Sequence, residues 1–167
     1  MTWTGPLSPN STTTTTLHGT AESIYHQILA LNPSYDLLSF PDNDPATLST
    51  PSLHRRDGQV ICSYINTIKY WGNECGEGYG YLRNLGGGNA LCTTPAHSCA
   101  RVSCSWGCGM FLCSKVNQEI RVLCRDVAAD MYRIYMDCRD FDAKDNVIAA
   151  GRIEFAGHTT RLEAQRC

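Results

Sequence analysis

The sequence predicts an α+β fold: an antiparallel sheet packed on helices, stapled by disulfides and preceded by a propeptide segment. Three observations carry this. Ten cysteines all follow residue 61. A long amphipathic pattern covers residues 117–138. Short strand-like runs separated by glycine turns lie on both sides of it.

The helical pattern is the clearest. Ile120, Leu123, Cys124, Val127, Ala128, Met131, Ile134, Tyr135 and Cys138 recur at the i, i+3, i+4, i+7 spacing of one helix face. Asn117 is the expected N-cap, with Glu119 in the first turn. Arg121, Arg125, Asp126, Asp130, Arg133 and Asp137 take the opposite face. Cys124 and Cys138 would lie about 21 Å apart at 1.5 Å per residue, so each must pin the helix elsewhere.

The strands come next. Arg101–Trp106 and Gly109–Cys113 read as strands around a turn at Gly107. Val147–Ala156 and Thr159–Ala164 read as a closing hairpin, turning at Gly157-His158 and tied down by Cys167. Residues 62–71 suit either strand or helix, with Ile61, Ile65 and Ile68 leaning toward helix. Gly72–Gly88 is glycine-rich, and Gly86-Gly87-Gly88 reads as a flexible turn. Helix plus antiparallel strands makes an α+β layer.

The cysteines are Cys62, Cys75, Cys92, Cys99, Cys104, Cys108, Cys113, Cys124, Cys138 and Cys167. An even, dense set marks a stapled extracellular domain with up to five bridges. Ten cysteines allow about 945 pairings, so the connectivity stays open. Metal binding is the rival reading. Cys104-x3-Cys108-x4-Cys113 is not the paired C-x2-C of a zinc ribbon, so no metal and no cofactor is expected.

Residues 1–56 differ in kind. They hold no cysteine and no lysine, and their only arginines are Arg55 and Arg56. The start is Ser/Thr/Pro-rich, with Thr12 to Thr16 in a row. Thr20 to Leu31 reads as a short helix capped by Thr20 and ended by Asn32-Pro33, with Ile24, Ile28 and Leu31 on one face. Tyr35, Leu37, Leu38 and Phe40 form an apolar patch expected to rest on the cysteine-rich part. Pro41 to Pro51 reads as a linker. The dibasic pair Arg55-Arg56 then sits between the two compositions, where a kexin-type protease would cut. The expected organisation is a propeptide, 1–56, and a mature domain, 57–167.

Met1 to Thr16 lacks the basic start, apolar run and small-residue cleavage site of a secretory leader. The expectation is a secreted protein whose leader has been removed and whose Met1 is an added start residue. Asn10-Ser11-Thr12 is a glycosylation sequon, which suits that route. The net charge of -2 gives no basis for binding nucleic acid. No apolar run approaches the roughly 20 residues of a membrane-spanning helix.

Catalytic signatures are sparse. Arg152, Glu154 and His158 offer the residue types of a ribonuclease-like site, and Arg152 and Glu154 share a strand face. His97 lies in a loop. The sequence has no G-x-S-x-G elbow, and the triple glycine lacks the lysine of a phosphate loop. No catalytic residue is assigned. Tyr70, Trp71, Tyr79 and Tyr81, with Tyr64 nearby, form the candidate binding surface, because exposed aromatics stack on sugars or grip a partner.

Ser98-Cys99-Ala100-Arg101-Val102-Ser103-Cys104-Ser105-Trp106, Cys113, the Cys124–Cys138 helix, Gly151 and terminal Cys167 form a recognisable pattern. It resembles the small secreted cysteine-rich proteins of filamentous fungi, including candidate effectors and the killer toxins of smut fungi. The resemblance covers roughly residues 60–167 and implies an α/β sandwich. No toxin residue role carries over, because the family's lysine- and glycine-rich loop has no counterpart here. The expected function is that of a secreted, non-enzymatic effector or killer-toxin-like protein, matured by cleavage after Arg56. It would bind a protein of a host or competitor, for instance an immune receptor. The alternatives are a glycan-binding or antimicrobial module and a ribonuclease-like hydrolase.

Overall fold

The computed structural model describes residues 1–9, 11–37 and 58–167. The first elements are strands β1 (Thr2–Gly5) and β2 (Thr15–His18) and helix α1 (Ala21–Leu31). After residue 57 come β3 (Gln59–Cys62), β4 (Ile68–Lys69), α2 (Trp71–Glu74) and α3 (Gly76–Asn84). Then follow β5 (Leu91–Thr94), β6 (Cys99–Ser105), β7 (Cys108–Ser114), β8 (Ile120–Leu123) and α4 (Cys124–Cys138). The chain closes with β9 (Asp140–Phe141), β10 (Val147–Ala149), β11 (Gly151–Glu154) and β12 (His158–Ala164).

The strands form three antiparallel sheets, ordered β3-β11-β12-β7-β6, β2-β1-β5-β8 and β4-β10-β9. In the five-stranded sheet β11 alternates between core and solvent, whereas β7 is buried along most of its length. Ile153, Leu162, Met110, Leu112 and Val102 are buried, and Val127, Ala128, Met131 and Ile134 of α4 are buried with them in one core. Helix α4 packs on β11, β12 and β3, while α3 packs against α4, α1 and β6. This is the expected α+β arrangement of antiparallel sheet on helices.

All ten cysteines are paired, as Cys62–Cys138, Cys75–Cys108, Cys92–Cys124, Cys99–Cys113 and Cys104–Cys167. Cys124 and Cys138 fix the two ends of α4 to β5 and β3 respectively. Cys167 reaches β6 and closes the chain end over the sheet.

The structure corrects several details of the sequence reading. The helix begins at Cys124, not near Asn117, because Ile120 and Val122 face the core in alternation with exposed Arg121 and pair with β5. Asn117 instead bonds the ring of His97. Asp130 is buried, not solvent-facing, and accepts a hydrogen bond from Thr160 Oγ1 at 3.3 Å. Over 62–71 the strand alternative holds at Cys62 and Ile68–Lys69, with bends between them, and helix starts only at Trp71. β3 pairs with β11, Asn66 adopts a left-handed φ of 54°, and Ile65 stays exposed.

Most of the glycine-rich stretch is helical, in α2 and α3, while Gly86 lies in a turn that leads into a short 3-10 segment at Gly87–Asn89. A side chain at Gly78 would place Cβ 2.3 Å from Ser103 Oγ and 2.9 Å from Ser105 Oγ, so the glycine lets α3 lie close against β6 without moving either hydroxyl. Ser105 Oγ accepts from the Gly78 amide at 3.3 Å and donates to the Glu74 carbonyl at 2.8 Å, joining the two helices to the sheet.

Residues 1–37 pack into the same core as the cysteine-rich part. Trp3, Ala21, Ile24, Tyr25, Ile28 and Tyr35 are all buried in it. Thr20 caps α1 by accepting from the Ser23 amide, and Asn32 ends it. Asn10, Arg55, Arg56 and the rest of 38–57, including Leu38 and Phe40, lie outside the described residues.

Candidate binding surface

The aromatic candidates separate into two groups. Tyr79 and Tyr81 are two positions apart on α3, so the helix turns their side chains to different sides. Tyr81 joins Tyr25 and His26 of α1, with ring centroids at 5.2 and 5.8 Å. That contact seals α1 onto α3. Burial raises the Tyr81 hydroxyl pKa, and nearby Glu77 and Glu22 add to the shift. Burial, with a bond to Asp36, pushes Tyr25 up to about 12.

Trp71 and Tyr79 meet Tyr132 and Tyr135 of α4. Trp71 stacks on Tyr135 with centroids 4.7 Å apart and planes at 21°. Tyr79 lies 5.5 Å from Trp71 and 6.1 Å from Tyr132. Tyr132 is 45% exposed and forms the open side of the cluster. Tyr70, 51% exposed, starts α2 from a left-handed φ of 52° and bonds its hydroxyl to Asn146. The surface therefore joins four rings from three helices at the seam between α2, α3 and α4.

Tyr132 and Tyr135 are the residues that the sequence reading missed as surface. Their three-residue spacing on a helix places them on neighbouring positions of one face, and that was the available signal. Tyr135 was expected in the core, and it is instead half-buried under Trp71.

A second concavity of about 520 Å³ lies over the outer face of the five-stranded sheet, lined by Lys115, Arg152, Glu154, Arg161 and Glu163 among others. Its charges pair with one another. Glu154 meets Lys115 Nζ at 2.5 Å and Arg152 Nε at 2.7 Å, and Arg161 meets Glu163 at 2.7 Å. The bond from Lys115, helped by Arg152 and Thr159, holds the Glu154 carboxyl down at about 2 despite some burial. Along β12, His158 has the parity of buried Thr160 and Leu162, so it faces away from Arg152 and Glu154. It stacks on Phe155 with centroids 4.4 Å apart. The three residues of the ribonuclease-like reading are not brought together.

Among the described residues, no group of three or more His, Cys, Asp or Glu is placed to hold a metal ion. No described helix is long and apolar enough to cross a membrane. No family model, no curated protein and no solved structure matches the chain.

Proposed function

We propose that the protein is a secreted, non-enzymatic binding protein of the effector or toxin type, acting on a protein of a host or competitor and matured by kexin-type cleavage after Arg56. The observation that carries the binding reading is the four-ring surface at the helix seam. Two of its helices, α3 and α4, start at disulfide-bonded positions, Cys75 and Cys124. A rigid aromatic patch loses little side-chain entropy on binding and supplies large apolar contact area. Five disulfides suit an extracellular setting. The processing step is supported by the dibasic pair at the composition boundary.

The glycan-binding reading draws on the same rings. Sugar stacking needs an open aromatic face, and one face of Trp71 is already covered by Tyr135.

The test is to apply the purified full chain to leaf tissue and to cultures of competing microbes. Cell death, an immune response or growth arrest is expected. Tyr132→Ala should shift the effective dose about tenfold or more, as loss of an interface anchor does. Its exposed position leaves the fold intact, which near-ultraviolet circular dichroism would verify. No response in any assay would sink the effector reading. Retention on chitin that Trp71→Ala abolishes would move the assignment to glycan binding.

A further inference from the structure

The N-terminal segment has the contacts of a permanent structural part, although its composition reads as a removable one. β1 is an inner strand, paired with β2 on one side and β5 on the other, with Trp3 opposite Cys92. The Trp3 indole is fully buried, and its Nε1 donates to the Leu85 carbonyl at 3.0 Å. A side chain at Gly5 would come within 2.6 Å of Ala90 Cβ, which shows how closely the strand approaches the rest. Ile24 and Ile28 of α1 are fully buried. Tyr35 donates its hydroxyl to the Asn84 carbonyl at 3.2 Å.

Removing residues 1–37 would expose Leu82, Leu85 and Ala90, leave the Leu85 carbonyl without its indole partner and turn β5 into an open edge. Such an edge and such an apolar face are both unfavourable in water. None of the five disulfides reaches this segment, because every cysteine follows residue 61. The hold is therefore strong and wholly non-covalent.

We propose that cleavage after Arg56 nicks the protein without stripping it. The small chain is held through residues 1–37 as a second, non-covalent subunit of the working protein. The position of the nick rests on the processing reading above; retention rests on the core alone.

The two are tested separately. A site-specific protease sequence is inserted between Arg56 and Asp57 of the full chain, which is then cut under native conditions. The expected result is one size-exclusion peak at the uncut position, holding both chains in equal amounts. Denaturant without reductant should separate them. A small chain that elutes alone, beside a compact large chain, would overturn retention. Trp3→Ala should weaken retention about 100-fold or more, so that dilution releases the small chain. Should that variant fold poorly, Ile24→Val gives a milder, roughly 2- to 10-fold weakening. Retention that neither variant weakens would overturn the assignment of these residues as its anchors. In parallel, the natural chain is treated with a kexin-type protease. A cut after Arg56 with both chains in one peak supports the whole proposal. Absence of that cut refutes the processing reading and with it the natural nick, while the inserted site still decides retention.

Discussion

Gly151→Ala probes the place where helix, sheet and disulfide meet. Gly151 lies in β11, opposite Leu162 on one side and Cys62 on the other. An added Cβ would sit 2.8 Å from the Ile61 carbonyl oxygen, 3.0 Å from Cys138 Sγ and 3.2 Å from Ile134 Cγ2. Two of these neighbours cannot give easily, since one is strand backbone and the other is a disulfide sulfur. Overpacking of this kind costs about 1–3 kcal/mol. Gly151 does not have a positive φ, so alanine is not strained there and recovers about 0.4–1 kcal/mol through a less flexible unfolded chain. The net expectation is a loss of about 1–2 kcal/mol. At roughly 2–4 °C per kcal/mol for a chain of this size, Tm should fall by about 2–8 °C. Thermal unfolding with the disulfides intact reads this directly, and a urea midpoint checks it at constant slope. Gly80→Ala is the control. Nothing lies within 4 Å of its Cβ and it is inside α3, so it should raise stability by about 0.5–1 kcal/mol. An unchanged or higher Tm for Gly151→Ala would refute the close approach of α4 to β11.

Two other outcomes follow from charge and covalent structure. Glu154 has a folded pKa of about 2, below its unfolded value, so its ion pairs stabilise the fold above about pH 4.5. That contribution falls as pH drops toward 2, and Glu154→Gln should flatten this part of a stability–pH curve by at most about 1 kcal/mol, since the partners are partly exposed. A variant curve parallel to the wild type would refute it. Replacing both cysteines of Cys99–Cys113, 14 residues apart, should cost about 3 kcal/mol, against about 4.5 for Cys62–Cys138, 76 apart, on the loop-entropy model. Denaturant midpoints in the reverse order would show that native-state strain or residual structure outweighs loop closure.

The parts legible in the sequence were those where one local signal and the packing agree. Thr20 caps α1 and Asn32 ends it because both residues act through their own backbone neighbours. The hairpin of β6 and β7 turns at Trp106-Gly107, where both residues have positive φ. The start of α4 was misread because its apolar spacing continues into a strand. Ile120, Val122 and Cys124 satisfy a period of two, while Ile120, Leu123 and Cys124 satisfy the helical one, and pairing with β5 decides between them. The helical glycine stretch was hidden for the opposite reason. Its residues disfavour helix locally, and contact with Ser103 and Ser105 overrides that preference. Trp71 and Tyr79 were visible as candidates, but their partners Tyr132 and Tyr135 are more than 50 residues away and are joined only by the packing of α3 on α4.

Composition suggested a boundary at residue 57, and the core ignores it. The two segments differ in how they are held. Among residues 58–167, disulfides tie α4 to β3 and β5, β6 to β7, the start of α3 to β7, and the chain end to β6. Residues 1–37 depend on a strand ladder, one buried indole and the apolar face of α1. Cysteine density therefore marks where covalent staples are used, while the core extends beyond it to residues 1–37. Trp3 carries that distinction: it stands near the start of a polar, threonine-rich stretch, and its burial against Leu85 makes that stretch part of the core. Denaturant and reductant should consequently act on different parts of the molecule. Mild denaturant loosens the first segment, which has no covalent tie within the core, while reductant acts first on the more accessible bridges such as Cys104–Cys167 and last on the fully buried Cys92–Cys124.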